Sequence, residues 1–235
     1  MSYIRLFFPE SLTDNFESEL NKSQSYYLKK VMRLKEGDYF SLFNKNGEWH
    51  AIIKDASKNL ISFQIKKKIR EANTSRELWL AFTPIKFNNL NLMVQKATEL
   101  GITRLIPILS ERTVVRKINL ERLKKILVEA SEQSNRLDIP QLDELIPFEK
   151  FMNNFENTNI LFGDLNSNNT TIKFDKNTKD PICILIGPEG DFSEIERARI
   201  LKLKRIQSFS LSKNILRTET AAISAISIVN YSINL

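Results

Sequence analysis

Two patterns of hydrophobic and polar positions divide the chain. Residues 1–70 contain short apolar runs that end at turn residues, which is typical of β-strands. Two of these runs, 39–43 and 48–53, flank the segment Asn44-Lys45-Asn46-Gly47, and this arrangement predicts a β-hairpin. We therefore expect a small β-rich N-terminal module, with one helical face between residues 25 and 34.

From residue 78 onward, strand-like runs alternate with longer helical patterns. The last of these helices, 218–233, is rich in small residues, and a capping box opens another helix at Ser193. Strand candidates are 78–83, 104–109, 160–163, 182–187 and 207–211. The alternation predicts a mostly parallel sheet covered by helices, with a ligand site beyond the carboxyl ends of the strands.

The segment between these two patterns is the candidate linker. Residues 66–77 show no core pattern, and we place the linker itself at 71–77. The N-terminal domain then spans 1–70 and the C-terminal domain 78–235.

Composition narrows the possible chemistry. The 235 residues include one Cys and one His, which excludes an internal disulfide framework and any multi-Cys or multi-His metal site. We therefore expect no bound metal, and acid–base chemistry falls to Arg, Lys, Asp, Glu and Tyr. No secretion signal and no apolar run of ~18 residues is present, so we expect a cytoplasmic protein without a membrane anchor.

The charge balance favours a polyanionic partner. The formal net charge is +7, and residues 1–74 carry 13 Lys+Arg against 9 Asp+Glu. Nucleic acid suits such a balance, although a solvated surface can also carry it.

Two strand-to-helix turns contain the candidate site residues. In the first, the apolar run 182–186 leads into Gly187-Pro188-Glu189-Gly190, where glycines allow a ligand to approach the backbone closely. This turn matches neither the dinucleotide nor the P-loop pattern. In the second, Arg217, Thr218 and Glu219 stand at the start of the last helix, where an anion or polar ligand is favoured. For each turn a purely structural role is the alternative.

Taken together, these segments and several upstream motifs resemble a known family. It comprises the bacterial 16S rRNA (uracil-N3)-methyltransferases, ribosomal small-subunit methyltransferase E, of the SPOUT superfamily. The matching motifs are GPEG-x-FS-x-x-E at 187–196, L-x-x-x-ILRTETA at 211–221, QKATELG at 95–101, P-x-x-SER at 107–112, EA-x-EQS-x-R at 129–136 and VMR-x-x-x-GD at 31–38.

The resemblance implies an α/β protein in which a PUA-like β-barrel precedes a SPOUT domain with a trefoil knot. It also implies S-adenosylmethionine as methyl donor, 16S rRNA of the 30S subunit as substrate, and a homodimer. The donor-binding residues implied by the family are Leu161, Phe162, Gly163, Ile186, Gly187, Pro188, Glu189, Gly190, Leu211, Ser212, Asn214, Ile215 and Leu216.

Two departures from the family pattern keep alternative functions open. Asp191 stands where the family has a second glycine, and Ser212 also replaces a glycine. One alternative is another SPOUT methyltransferase that acts on a different rRNA or tRNA position. The other is a non-catalytic RNA-binding or assembly protein whose donor site has decayed.

Candidate catalytic residues follow from the chemistry that the resemblance implies. Methylation at uracil N3 requires loss of the imide proton, and a fixed cation would stabilise the resulting anion. Arg217 is the first candidate for that cation and Arg5 the second, while Glu189 or Glu219 could accept the proton or orient an arginine. The candidate RNA-binding residues are Arg5, Lys29, Lys30 and Arg33.

Overall fold

The computed structural model of the chain describes residues 4–72, 76–173 and 179–234. Backbone contacts divide the chain into two compact units. Unit 1 comprises Met1–Thr74 together with Ser131–Ile139, and unit 2 comprises Ser75–Ala130 and Pro140–Leu235. A short segment from the second half of the chain therefore belongs to the N-terminal unit.

Unit 1 is built on a sheet of five strands among the described residues. The strands are β1 (Arg5–Phe7), β2 (Glu17–Glu19), β3 (Tyr39–Asn44), β4 (Gly47–Asp55) and β5 (Ser62–Glu71). Their order is β1-β3-β4-β5-β2, and β3 pairs with β4 in antiparallel fashion, which confirms the predicted hairpin. Buried aromatic and aliphatic side chains such as Phe40, Phe63 and Leu42 form the core of this unit.

Strand β5 continues beyond residue 65, although the sequence from there on lacks the apolar positions typical of a buried strand. It runs to Glu71, so the stretch without a core pattern is a strand up to that residue, and the linker at 71–77 stays a prediction. The basic run stays extended because β5 pairs with β4 over this stretch, and the Lys68 ammonium lies 5.3 Å from the centroid of the Trp49 ring. Residues 73–75 of the candidate linker lie outside the described residues.

The predicted helical face in unit 1 is split into two short elements. Helix α1 (Lys22–Tyr26) begins after Asn21, whose side chain accepts a hydrogen bond from the Gln24 amide, and a π-helical turn follows at Tyr27–Val31. Leu28 is buried, whereas Tyr26 and Val31 are exposed. A single apolar stripe along 25–34 is therefore not formed.

Unit 2 contains a parallel sheet, as the alternation of elements predicts. Its strands run in the order β12-β10-β11-β6-β7-β8, and β9 also pairs with β7. The strands are β6 (Leu78–Phe82), β7 (Arg104–Leu109), β8 (Gln141–Leu142), β9 (Ile146–Pro147), β10 (Asn159–Gly163), β11 (Ile182–Ile186) and β12 (Ile206–Phe209). The helices are α2 (Phe87–Glu99), α3 (Leu120–Gln133, up to Ala130 in this unit), α4 (Phe148–Phe155), α5 (Glu194–Ile200) and α6 (Thr218–Asn234).

The centre of the sheet in unit 2 is fully apolar. Cys183 lies on β11 with no exposed surface, and burial raises the pKa of its thiol to about 12. Cys183 is therefore a core residue and not a nucleophile. The trefoil knot stays a prediction.

No described helix is long and apolar enough to cross a membrane. Within 4–72, 76–173 and 179–234, no group of three or more His, Cys, Asp and Glu side chains is arranged to hold a metal ion.

Candidate functional site

Three neighbouring strands of unit 2 end at the same edge of the sheet. β10 lies between β11 and β12, and all three are parallel, so the loops that follow them meet beyond their carboxyl ends. The sequence continues there from Gly163, Ile186 and Phe209, respectively. The N-terminal end of α6 is joined to this edge, because the Thr218 hydroxyl donates a hydrogen bond of 3.2 Å to the Gly187 carbonyl.

A cavity lies between these loops and the start of α6. The empty space between the surrounding atoms is about 500 Å³, and part of it is open to solvent. The lining residues are Gly163, Asp164, Leu165, Ile186, Gly187, Pro188, Glu189, Asp191, Ser210, Leu211, Ser212, Asn214, Leu216, Thr218 and Ala221.

Most of the donor-binding residues expected from the resemblance line this cavity. Those outside its lining are Leu161 and Phe162, which are buried in β10, together with Gly190 and the highly exposed Ile215. Six lining residues are absent from the donor-binding residues that the resemblance implies, although the sequence analysis singles out Thr218 and Asp191 on other grounds. The six are Asp164, Leu165, Asp191, Ser210, Thr218 and Ala221, most of which directly follow or precede an expected site residue along the chain.

Two glycines allow the loops to approach one another. A Cβ on Gly163 would lie 2.8 Å from Ile186 Cδ1 and 3.4 Å from Leu211 Cδ1. A Cβ on Gly187 would lie 3.1 Å from the Phe192 ring. A side chain at Gly163 would displace the end of the Ile186 side chain, and one at Gly187 would require a small shift of the Phe192 ring.

A buried ion pair fixes the loop after β10. The Asp164 carboxylate has no exposed surface and accepts hydrogen bonds from Arg197 Nε at 3.0 Å and Nη2 at 2.8 Å. The hydrogen bond to Asp164 raises the pKa of Arg197. The same carboxylate accepts a hydrogen bond of 3.0 Å from the backbone amide of Asn166. Asp164 therefore connects a wall of the cavity to helix α5.

Asp191 adopts the left-handed backbone conformation that its glycine counterpart in the family would adopt without strain. Its φ is 60°, and the Phe192 amide donates a hydrogen bond of 2.7 Å to Oδ1. Asp is among the non-glycine residues that tolerate this region best. Burial raises the pKa of Asp191 above its ordinary value. The chain thus keeps the turn geometry and places a half-buried carboxyl in the cavity wall.

Replacement of Asp191 by Asn should stabilise the protein slightly at neutral pH. Asn keeps the Oδ1 acceptor and tolerates positive φ, but it removes a charge that burial disfavours. We expect a gain of less than about 1 kcal/mol in the free energy of unfolding at pH 7. Because the folded-state pKa is raised, this gain should shrink as the pH falls and vanish below the ordinary value of 3.8. Urea unfolding of both proteins as a function of pH measures it, and a pH-independent difference would contradict the argument.

The two catalytic candidates at the start of α6, Arg217 and Glu219, have different surroundings. Arg217 is exposed, directly follows the lining residue Leu216, and makes no hydrogen bond or ion pair with the described residues through its side chain. Glu219 is buried and accepts a hydrogen bond of 2.8 Å from Asn89 Nδ2, while its Oε2 has no partner among the described residues. Glu219 therefore does not orient Arg217. Glu189 is exposed and lines the cavity.

The structure gives Arg5 a role that the sequence does not predict. Its side chain, only 10% exposed, pairs with Glu48 at 2.9 Å and donates to the carbonyls of Glu132 at 3.0 Å and Arg136 at 2.6 Å. These contacts hold the segment Ser131–Ile139 within unit 1. A guanidinium engaged in this way is not available as a catalytic or RNA-binding cation in this conformation.

The other RNA-binding candidates lie on the surface of unit 1. Lys29 donates a hydrogen bond to the Lys58 carbonyl. Lys30 and Arg33 are exposed, and their side chains make no hydrogen bond with the described residues. Both cations are therefore available to a polyanion.

Comparisons with known proteins agree with this arrangement. A family model described as an RNA methyltransferase domain matches residues 72–230, and one described as an RNA methyltransferase PUA domain matches 20–66. The fold and the site thus define an RNA methyltransferase with a PUA-like N-terminal part, and the resemblance drawn from the motifs is confirmed.

Individual relatives specify the family. The chain is 36% identical to "Ribosomal RNA small subunit methyltransferase E" of Rickettsia conorii over 230 residues, which cover 96% of this chain and 94% of that protein. It is 29% identical to the protein of the same name from Bacillus subtilis, with 89% and 88% covered. The chain belongs to the ribosomal RNA small subunit methyltransferase E family.

Solved structures show the same architecture over the whole chain. The crystal structure of ribosomal RNA small subunit methyltransferase E from Neisseria gonorrhoeae, bound to S-adenosyl methionine, has a TM-score of 0.89 at 26% identity and covers 98% of each chain. A methyltransferase from Legionella pneumophila in complex with the same cofactor has a TM-score of 0.87 at 27% identity, with 99% of this chain and 98% of that chain covered.

Proposed function

We propose that this protein transfers a methyl group from S-adenosylmethionine to N3 of a uracil in 16S rRNA of the small ribosomal subunit. The observation that carries the proposal is the cavity formed by the loops after β10, β11 and β12. It occurs in a chain whose relative from Neisseria gonorrhoeae shares the fold and was solved with that donor.

The chemistry of the cavity lining fits such a donor. Apolar side chains of Ile186, Leu211 and Leu216 offer contacts for an adenine ring, while polar side chains such as Ser212 and Asn214 offer hydrogen bonds for a ribose. The carboxyl groups of Glu189 and Asp191 would favour a positively charged sulfonium. A Cβ at Gly163 would displace the end of the Ile186 side chain in the wall.

The donor supplies an electrophilic methyl group, and the residues of the chain must prepare the nucleophile. As the uracil loses its N3 proton, negative charge develops on the ring, and Arg217 stabilises this charge as an exposed cation beside the cavity. Glu189, exposed on the cavity lining, accepts the proton. Glu219 acts indirectly, because its hydrogen bond with Asn89 ties the start of α6 to the start of α2.

The target base must be unpaired or extruded to reach such a site, since N3 is blocked in a base pair. Binding of the surrounding RNA then falls to exposed cations. In unit 1 we assign this role to Lys30 and Arg33, with Lys29 beside them. The exposed Tyr26 ring precedes these residues by a few positions in the sequence. An aromatic ring can stack on an unpaired base while nearby cations bind the phosphates.

We also propose that the protein acts as a cytoplasmic homodimer that requires no metal. The helices α2 and α6 pack against each other, and apolar side chains remain exposed on both, namely Leu92, Ile228 and Tyr231. A second copy of the chain would cover them. Light scattering of the purified protein, with Tyr231→Glu as the disrupting variant, tests the dimer.

Methyl transfer from labelled S-adenosylmethionine to 30S subunits that lack the modification tests the main proposal. Protein-free 16S rRNA serves as the parallel substrate, and the product nucleoside is identified by mass spectrometry. We expect 3-methyluridine. Donor binding without transfer to either substrate would favour a SPOUT methyltransferase with another target, whereas the absence of donor binding would favour a non-catalytic RNA-binding protein.

A further inference from the structure

A strongly basic stretch of unit 2 follows strand β7. Residues 112–125 contain six Lys and Arg residues and one acidic residue, Glu121, which gives a net charge of +5 against +7 for the whole chain. Glu111 and Glu129 flank this stretch. Positive charge is thus concentrated in a short segment of the catalytic unit as well as in the N-terminal module.

This stretch begins at the cavity. Arg112 Nη1 donates a hydrogen bond of 2.8 Å to the carbonyl of Gly190. Gly190 lies between Glu189 and Asp191, which both line the cavity. The chain then runs outward through Val114, whose side chain is 85% exposed, toward the start of α3. The basic stretch therefore leads from the edge of the donor cavity along the surface of unit 2.

Several cations of this stretch have no side-chain partner among the residues that the structure describes. The side chains of Arg116, Lys117 and Lys125 are exposed and donate no hydrogen bond to the described residues. Lys124 differs, because it pairs with Glu121 at 2.9 Å. Unpaired cations next to one another repel, so an anionic ligand that neutralises them would bind favourably.

Arg122 is held in place by an aromatic ring. Its guanidinium carbon lies 4.1 Å from the centroid of the half-exposed Phe87 ring, and the guanidinium donates no hydrogen bond to the described residues. Stacking restricts the side chain while its N–H groups stay unpaired, which suits recognition of a phosphate.

We propose that Arg116, Lys117, Arg122 and Lys125, here called the α3 basic surface, bind the phosphate backbone of the RNA strand that carries the target nucleotide. The inference rests on the proposed function and adds a second RNA contact, located on unit 2 itself. A nucleotide extruded into the cavity leaves its flanking phosphates near the cavity edge, where the basic stretch begins. Contacts to phosphates fix the position of the strand without reading its sequence.

The salt dependence of RNA binding tests this surface. The full-length variant Arg116→Ala/Lys117→Ala/Arg122→Ala is compared with Lys179→Ala/Lys202→Ala/Lys204→Ala, which removes three exposed cations that precede β11 and β12 at the opposite edge of the sheet. Binding of 30S subunits and of a 16S rRNA fragment is measured from low to high salt. The slope of log K against log salt should fall by ~2 in the first variant, since each lost phosphate contact in a single strand contributes ~0.7.

Further readouts separate this inference from the proposed function. Binding of S-adenosylhomocysteine and the kcat of methyl transfer should stay at wild-type values in the first variant, while KM for RNA rises. An unchanged slope, or an equal decrease in the control variant, would overturn the α3 basic surface and leave the proposed function standing. If the wild-type protein bound no RNA at all, both proposals would fall together.

Discussion

Replacement of Arg217 by Ala is expected to lower the kcat of methyl transfer by about 10²–10³-fold, the usual effect of removing one preorganised group that stabilises developing charge. The side chain is exposed, has no partner among the described residues and directly precedes α6. Thr218, the next residue, is buried and hydrogen-bonded to Gly187, so the backbone that carries the guanidinium is fixed. Single-turnover transfer from labelled donor to 30S subunits measures the effect.

Donor binding distinguishes this role from a structural one. The Arg217 side chain is outside the cavity lining, so the affinity for S-adenosylhomocysteine should remain within about twofold of the wild-type value. Lys213→Ala removes another exposed cation from the same loop and should retain activity. Arg217→Lys keeps the charge but loses the planar fork, and we expect intermediate turnover. Wild-type kcat in Arg217→Ala would show that another cation stabilises the uracil.

The sequence predicts the main parts of the candidate site because of a general property of parallel sheets. Runs such as 182–186 are recognisable as buried strands, and ligand sites lie beyond the carboxyl ends of such strands. Gly163, Gly187 and Leu211 are therefore found from pattern and resemblance, and they line one cavity. Ala221 is missed because only the helical conformation of α6 brings it to the cavity, one turn after Thr218.

Other features depend on contacts that are distant in sequence. The segment Ser131–Ile139 belongs to unit 1 although more than fifty residues of unit 2 precede it, and no local pattern reveals this. The role of Arg5 is equally ambiguous in the sequence, because a cation in a strand can bind RNA as well as it can pair with a carboxylate. Helix α4 is missed because it is short, although its buried Phe148, Phe151 and Phe155 have helical spacing.

Replacement of Glu48 by Ala should destabilise unit 1 by about 3 kcal/mol, the low end of the range for removing one partner of a buried ion pair. Its carboxylate is only 4% exposed and lies between Arg5 Nε at 2.9 Å and Arg70 Nη1 at 3.0 Å. Removal leaves the Arg5 charge buried without a counter-ion. We expect a loss of unfolding free energy at the low end of this range, because the carbonyls of Glu132 and Arg136 still accept hydrogen bonds from Arg5.

Unit 1 can be followed separately, because the chain has two Trp residues and each unit contains one. In a Trp79→Phe background, the fluorescence of Trp49 reports urea unfolding of unit 1 alone. Glu71→Ala is the matched control, since the Glu71 carboxylate is 82% exposed and forms an exposed ion pair with Lys68. This variant should lower the free energy of unfolding by less than about 0.5 kcal/mol. Equal losses in both variants would mean that the Arg5–Glu48–Arg70 cluster contributes no more than a surface ion pair. A large loss for Glu48→Ala alone would show that the buried carboxylate beside Arg5 and Arg70 stabilises unit 1.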